Sequence, residues 1–316
     1  MKKESVKEKI KVIAIVGPTA SGKSDLALIL ARKFNGEVVS ADSRQVYRGL
    51  DIGSGKITRR EMKEVPHHML DVANPQKIYT VSQYQKAASK FVRYIVQKDR
   101  LPIICGGTGF YIDSLLTGTS LPPVPPNKNL RKKLVKKSVS ELYLMLKKLD
   151  PRRAKEIDRR NPVRLIRAIE IAKALGKVPK FNIQPSIFNV LKIGVRPENK
   201  ELKKRIRARL LKRLRQGMIK EVKNLHKNGV SWKRLESFGL EYRFVANYLQ
   251  NKLSKEEMIS KLETAIWQYA KRQLTWFKRD KEIKWVTPSQ TTKTVGIIKK
   301  WLSGKHFFFF FTHLEE

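Results

Sequence analysis

Eight consecutive residues carry most of the chemistry that can be read from this chain: Gly17-Pro18-Thr19-Ala20-Ser21-Gly22-Lys23-Ser24. They have the spacing G-x-x-x-x-G-K-S. A glycine-bounded turn of this kind aims its backbone N–H groups inward as an anion nest. Lys23 adds a point charge, the following helix adds its positive end, and the Ser24 hydroxyl suits Mg²⁺. Such a loop holds linked phosphates and is blind to what they carry. The second group is Asp42-Ser43-Arg44-Gln45, a carboxylate next to an amide and a guanidinium. On residue types alone Asp42 has two possible jobs: holding Mg²⁺, as an acid does in conventional nucleoside triphosphatases, or acting as a general base. Cys105 is the chain's single cysteine. Its place at the end of an apolar run suits a small buried residue better than a nucleophile. His67 and His68 are adjacent, so they lack the i, i+4 spacing that brings two ligands together on a helix.

The elements that would position these groups follow from apolar spacing. Val12–Val16 reads as a buried parallel strand, and Asp25–Ala31 has helical spacing. Glu37–Ser40 is predicted as a second strand that delivers Asp42 to the edge of the sheet where open α/β folds bind ligands. Arg48–Pro75 is turn-rich. Thr80-Val81-Ser82-Gln83 is a capping box opening a helix to about Lys98, and Pro102–Cys105 is a further strand. A helix over Phe110–Leu116 follows it. The proline-dense run Leu121–Pro126 reads as a linker, and Lys128–Leu175 as short helices broken at Pro151 and Pro162. Val190–Val195 could return to the main sheet. One long helix is predicted over Lys200–Lys227, with Leu202, Ile206, Leu210 and Leu214 inside. Its outer face, carrying Arg205, Arg209, Lys212 and Arg213, suits either solvent or nucleic-acid phosphates. Ser254–Glu257 is a second capping box, opening a helix to about Arg279.

The 316 residues include 68 Lys+Arg against 28 Asp+Glu, a formal net charge of +40. A field of that sign attracts polyanions, nucleic acid first among them. One cysteine excludes an internal disulfide or a thiolate zinc site, and fits a reducing cytosol. No run approaches the ~20 apolar residues of a membrane span. The Phe307–Phe311 run is too short for one, and we assign it no role.

In order along the chain stand GPTASGKS (Gly17–Ser24), SADSRQVYRGLDIG (Ser40–Gly53), VPHHMLDV (Val65–Val72), GGTGFY (Gly106–Tyr111), NPVRLIRAIE (Asn161–Glu170) and YAKRQLTWF (Tyr269–Phe277). This succession resembles the tRNA dimethylallyltransferases. The resemblance implies an α/β fold with a P-loop-kinase-like parallel sheet core, a helical insertion and C-terminal helices. Its expected boundaries are 1–120 for the first part of the core, 121–188 for an insertion that grips tRNA, and 189–316 for the return to the core. It implies transfer of the dimethylallyl group of dimethylallyl diphosphate to N6 of adenosine 37 in the tRNA anticodon stem-loop, with Mg²⁺ as cofactor and diphosphate released.

By motif match, Asp42 would be the general base and Asp42–Gln45 would contact the adenine. Thr108 would line the channel, and the loop from Gly17 to Ser24 would hold the diphosphate, with Ser24 on the metal. Arg243 would be the catalytic arginine and Arg131 a tRNA contact. A cytoplasmic monomer without membrane attachment is expected. The chain departs from the family pattern at Ser237–Arg243 and at Ile266-Trp267, the latter removing one expected basic contact. Rival readings are an adenylate isopentenyltransferase, against which the insertion and the charge argue, and a P-loop nucleotide kinase or ATPase.

Overall fold

The computed structural model describes residues 9–119, 121–180 and 186–304; the Phe307–Phe311 run lies outside them. The chain clusters into two compact units, Met1–Thr117 with Ser186–Glu316, and Gly118–Pro185.

The larger unit opens with β1 (Ile10–Val16), α1 (Lys23–Lys33) and β2 (Gly36–Ser40), then α2 (Arg59–Glu64), β3 (His67–His68), α3 (Val81–Gln97), β4 (Leu101–Gly106) and α4 (Gly109–Leu116). The smaller unit holds α5 (Lys128–Leu134), α6 (Val139–Leu149), α7 (Pro151–Glu156) and α8 (Pro162–Leu175). The chain returns through β5 (Phe188–Val195), α9 (Asn199–Arg215), α10 (Met218–Lys227), α11 (Trp232–Ser237), α12 (Leu240–Leu249) and α13 (Lys255–Phe277), and ends in β6 (Lys284–Val286) and α14 (Thr291–Ser303).

Six parallel strands lie in the order β3-β2-β4-β1-β5-β6. The two middle strands, β4 and β1, are almost wholly apolar because both faces are covered. Alternation along β1 divides the core: Val12, Ala14 and Val16 face the cluster with Tyr84, Val92, Leu202 and Ile206, while Ile13 and Ile15 face Leu26, Leu30 and Ile298. Helix entry is chemically marked, since Thr80/Gln83 and Ser254/Glu257 both form complete capping boxes. Pro151 and Pro162 stand at helix starts, where a missing N–H costs nothing. In the smaller unit, Leu142, Leu146, Leu165 and Ile169 form a separate core.

Two expectations change. The predicted long helix is two helices, because Gly217 takes φ 99° and ends α9 in a left-handed turn. The turn-rich stretch also contains α2 and the edge strand β3. There His68 Nε2 lies 2.6 Å from Glu37 Oε2 and Arg100 Nη1 donates to Glu37 Oε1 at 2.8 Å. Glu37 is buried, and a lone carboxylate there would cost several kcal/mol, which these partners offset. His68 is thus structural, and His67 Nδ1 lies 2.7 Å from the Val65 carbonyl oxygen. Among the described residues no group of three or more His, Cys, Asp or Glu could hold a metal ion, and no helix is long and apolar enough to cross a membrane.

Candidate active site

The C-terminal ends of β1, β2 and β4 bring together the loops that follow them. After β1 the chain turns through Gly17 (φ 148°), Ala20 (φ 61°) and Gly22 (φ 89°) before α1 begins at Lys23. A Cβ at Gly17 would stand 2.5 Å from the Val195 carbonyl oxygen, so glycine is required there by space as well as by φ. Lys23 Nζ donates to the Pro18 carbonyl at 3.1 Å. Burial pushes the Lys23 pKa down and the Arg209 cation pushes the same way, against the pull of Asp42 and Asp25. Ser24 is exposed at the first turn of α1. Behind the loop, the buried Cys105 thiol donates to the Lys23 carbonyl at 3.6 Å, and burial raises its pKa to about 11. It is a protonated packing group at neutral pH.

Beyond β2, Asp42 Oδ1 accepts the backbone N–H groups of Arg44 at 2.8 Å and Gln45 at 3.4 Å. These bonds fix the carboxylate plane, and Oδ2 takes no part in them. Ser43 N–H donates to Thr108 Oγ1 at 3.0 Å, and Thr108 N–H to the Ala41 carbonyl at 3.1 Å, which locks the Asp42 turn to the Gly106–Gly109 loop. Gln45 is held from both ends: its Oε1 accepts from Ser40 Oγ at 2.9 Å and its Nε2 donates to the Gly55 carbonyl at 3.3 Å.

The basic face of α9 is used differently from the sequence expectation. Arg205, Arg209 and Arg213, four residues apart, form one stripe turned toward the loops. Arg205 Nη1 stands 3.4 Å from the Cβ position of Gly22, and its Nε donates to Glu201 at 2.8 Å. Arg209 Nη2 donates to the Gly55 carbonyl at 3.2 Å, and its charge is felt at Lys23. Burial lowers the Arg209 pKa first, then the neighbouring Arg213 cation, while Glu241, Asp25 and Asp42 oppose both. Arg213 is buried, with Nη1 donating to the Gly53 carbonyl at 2.7 Å and Nη2 paired with Glu241 at 3.1 Å. Glu221 shapes the same turn, accepting the N–H groups of Asp51, Ile52 and Gly53 at 2.6–3.0 Å and the Tyr242 hydroxyl at 2.9 Å.

Arg243 lies on α12, exposed, with its guanidinium 5.0 Å from the Phe244 ring centre. Arg209 acts on the phosphate loop through its charge at Lys23, and Arg205 stands beside Gly22, whereas Arg243, the arginine expected from the sequence, packs on Phe244. Arg131, in the smaller unit, forks onto Glu170 with Nε at 3.0 Å and Nη2 at 2.8 Å, and Arg167 pairs with the same buried carboxylate. Its first role is therefore to neutralise Glu170.

Gln273 lies in the Tyr269–Phe277 motif, but its place in the site is not among the sequence expectations. From near the C-terminal end of α13, its Oε1 accepts the Thr19 N–H at 2.8 Å and its Nε2 donates to the Gly107 carbonyl at 2.8 Å. One turn on, Trp276 Nε1 donates to Asp113 Oδ2 at 3.0 Å, and its ring covers Gly109. The arrangement is thus a cationic phosphate loop with a fixed carboxylate, and the polar side chains of Arg44 and the anchored Gln45 beside it.

A family model described as IPP transferase matches residues 45–280. The tRNA dimethylallyltransferase 2 of Treponema denticola is 43% identical over 291 residues, covering 89% of this chain and 97% of its own. The tRNA dimethylallyltransferase 1 of Geotalea uraniireducens is 43% identical over 271 residues, covering 85% and 88%. Among solved structures, the tRNA isopentenylpyrophosphate transferase of Bacillus halodurans superposes with a TM-score of 0.70 at 34% identity, covering 94% of this chain and 97% of that one. A eukaryotic dimethylallyltransferase acting on tRNA gives a TM-score of 0.81 at 25% identity, covering 94% and 80%. A matching family model over most of the sequence and relatives aligned almost end to end leave one assignment: the chain belongs to the IPP transferase family, that of the tRNA dimethylallyltransferases.

Proposed function

We propose that this protein transfers the dimethylallyl group of dimethylallyl diphosphate to N6 of adenosine 37 in tRNA and releases diphosphate. The observation that carries the reading is Asp42 fixed by two backbone N–H groups beside a phosphate loop that Arg209 also faces. A nucleotide kinase needs its acceptor in line with a terminal phosphate. A prenyltransferase needs its nucleophile at the carbon beyond the diphosphate, with a base next to it.

The adenine N6 lone pair is delocalised into the ring, so N6 attacks well only as its proton leaves. Asp42 accepts that proton while the N–C bond forms and the allylic C–O bond breaks. The electron pair of that bond departs on the diphosphate, where the loop amides, Lys23 and Arg209 stabilise it. Arg209 thereby takes the role expected at Arg243. Arg44 and Gln45 present donors and acceptors to the adenine edge, and Thr108 keeps the Asp42 turn in register. Extruding the base from a stacked loop costs roughly a few kcal/mol, which phosphate contacts by basic residues of the smaller unit and of α9 offset. Arg131 is one such contact in addition to its hold on Glu170.

Mg²⁺ fits what is present: a single exposed hydroxyl, Ser24, beside a site for phosphate oxygens suits an ion that keeps most of its waters. When bound, it would neutralise part of the diphosphate charge. The reading includes a cytoplasmic monomer.

The test is incubation with Mg²⁺, unmodified tRNA and either ATP or dimethylallyl diphosphate, followed by nucleoside mass spectrometry. Prenylated adenosine should appear only with dimethylallyl diphosphate, and Lys23→Ala should abolish it. Phosphate release from ATP at a comparable rate, with tRNA mass unchanged by either donor, would overturn the proposal.

A further inference from the structure

The Pro18–Thr19 peptide group is gripped on both sides. Its carbonyl accepts from Lys23 Nζ at 3.1 Å, and its N–H donates to Gln273 Oε1 at 2.8 Å. The first of these bonds is local, but the second comes from a helix more than two hundred residues further along the chain. Gln273 is buried, and its other end is fixed on the Gly107 carbonyl at 2.8 Å. A side chain at Gly107 would collide with Gln273 Nε2, so the loop after β4 is shaped to admit this amide.

The phosphate loop needs an outside hold. Ala20 has φ 61°, a conformation that costs an L-residue roughly 1–2 kcal/mol and persists only where neighbours impose it. Ser21 Oγ, buried in the same turn, has no hydrogen-bond partner, so that hydroxyl adds nothing to the hold. A primary amide is the side chain that can accept from one loop and donate to the other. A carboxylate would turn a lone pair on the Gly107 carbonyl, and an apolar chain would leave the Thr19 N–H and the Gly107 carbonyl buried without partners.

We propose that Gln273 is a positioning residue for the diphosphate of the donor, setting the direction of the remaining loop N–H groups from α13. Through it the late helix belongs to the donor site as well as to the fold. The inference rests on the proposed reaction only for the identity of the donor.

The test measures inorganic pyrophosphate binding by calorimetry in Mg²⁺ buffer, which requires no prenyl transfer and so stands or falls separately from the reaction. Gln273→Met keeps the volume and removes both hydrogen bonds. Gln273→Glu keeps the acceptor toward Thr19. Gly107→Ala displaces the amide without altering it. Pyrophosphate Kd should rise about tenfold in Gln273→Met and Gly107→Ala and less in Gln273→Glu. The KM for dimethylallyl diphosphate should follow, and the KM for tRNA should stay within about twofold. Gln273→Met and Gly107→Ala combined should cost no more than either alone. Unchanged pyrophosphate affinity in Gln273→Met would overturn the proposal. So would a loss of affinity that only tracks loss of folded protein by circular dichroism in all three variants.

Discussion

The indole of Trp276 occupies the space that any side chain at position 109 would need. This packing joins two short motifs far apart along the chain, and Gln273 makes the equivalent approach to Gly107 one turn earlier on α13. Two glycines in one loop and two large side chains on one helix are therefore a single interlocking feature.

Gly109→Ala should destabilise the protein by about 1–3 kcal/mol, the usual cost of overpacking. Gly296→Ala, inside α14 with nothing within 4 Å of the added carbon, should instead stabilise by about 0.5–1 kcal/mol. Urea unfolding midpoints of the two variants should move in opposite directions.

Arg209→Ala should lower the rate of prenyl transfer by ~10²–10³-fold, the worth of one preorganised donor to a developing anion. Arg243→Ala should fall short of tenfold. Single-turnover rates at saturating donor separate the two, and the reverse order would return the catalytic role to α12.

Asp42→Asn should leave tRNA and diphosphate affinity intact and reduce turnover by ~10²–10⁴-fold. Weakened diphosphate binding with normal turnover at saturation would make Asp42 a metal-site residue.

Lys23 predicts a pH dependence whose sign follows from its environment. Its pKa is lowered by burial and by Arg209, so the ammonium loses its proton below the ordinary lysine range. Donor binding needs the charged form, so kcat/KM for dimethylallyl diphosphate should fall as pH rises through that lowered value. Bound diphosphate favours the cation, so calorimetry in buffers of different ionisation enthalpy should detect proton uptake on the alkaline side. A profile flat up to the range of exposed lysines would contradict this.

On α9 the exposed cations include Lys204, Lys212 and Arg215, whereas Arg205, Arg209 and Arg213 turn toward the loops. Replacing the first three with alanine should flatten the salt dependence of tRNA binding. The log–log slope should shrink by about 0.9 for each duplex-stem phosphate that the variant no longer neutralises. An unaltered slope would leave that face to solvent.

The strands, the capped helices and the phosphate loop are legible in the sequence because each is announced locally. Apolar runs end at glycine, Thr80 and Ser254 bring their own box partners, and Pro151 and Pro162 mark their helix starts. The division of the basic helix is also visible in principle, since Gly217 sits where a left-handed turn would stop α9, but the apolar stripe running past it favours continuity. Arg213 and Arg209 read as surface charge because charged residues are so seldom buried. The carbonyls of Gly53 and Gly55, presented by a loop far away in sequence, and the Glu241 carboxylate make their position tolerable. Gln273 stands in the Tyr269–Phe277 motif, yet nothing local says what its amide holds. Its meaning depends on Thr19 and Gly107 being adjacent in space, which a single sequence does not display.

The strand order has a consequence in time. β1 is made long before β5, one of its two neighbours, although Ile10 pairs with Phe188 and Val16 with Gly194. At 5–20 residues per second, roughly 10–40 s of synthesis separate the two strands. Through that interval an apolar strand carries an open edge on the ribosome, with the smaller unit emerging before the edge can close. A nascent chain halted before Phe188 should therefore be held by chaperones and cut readily by protease, and one extended past α13 should be neither.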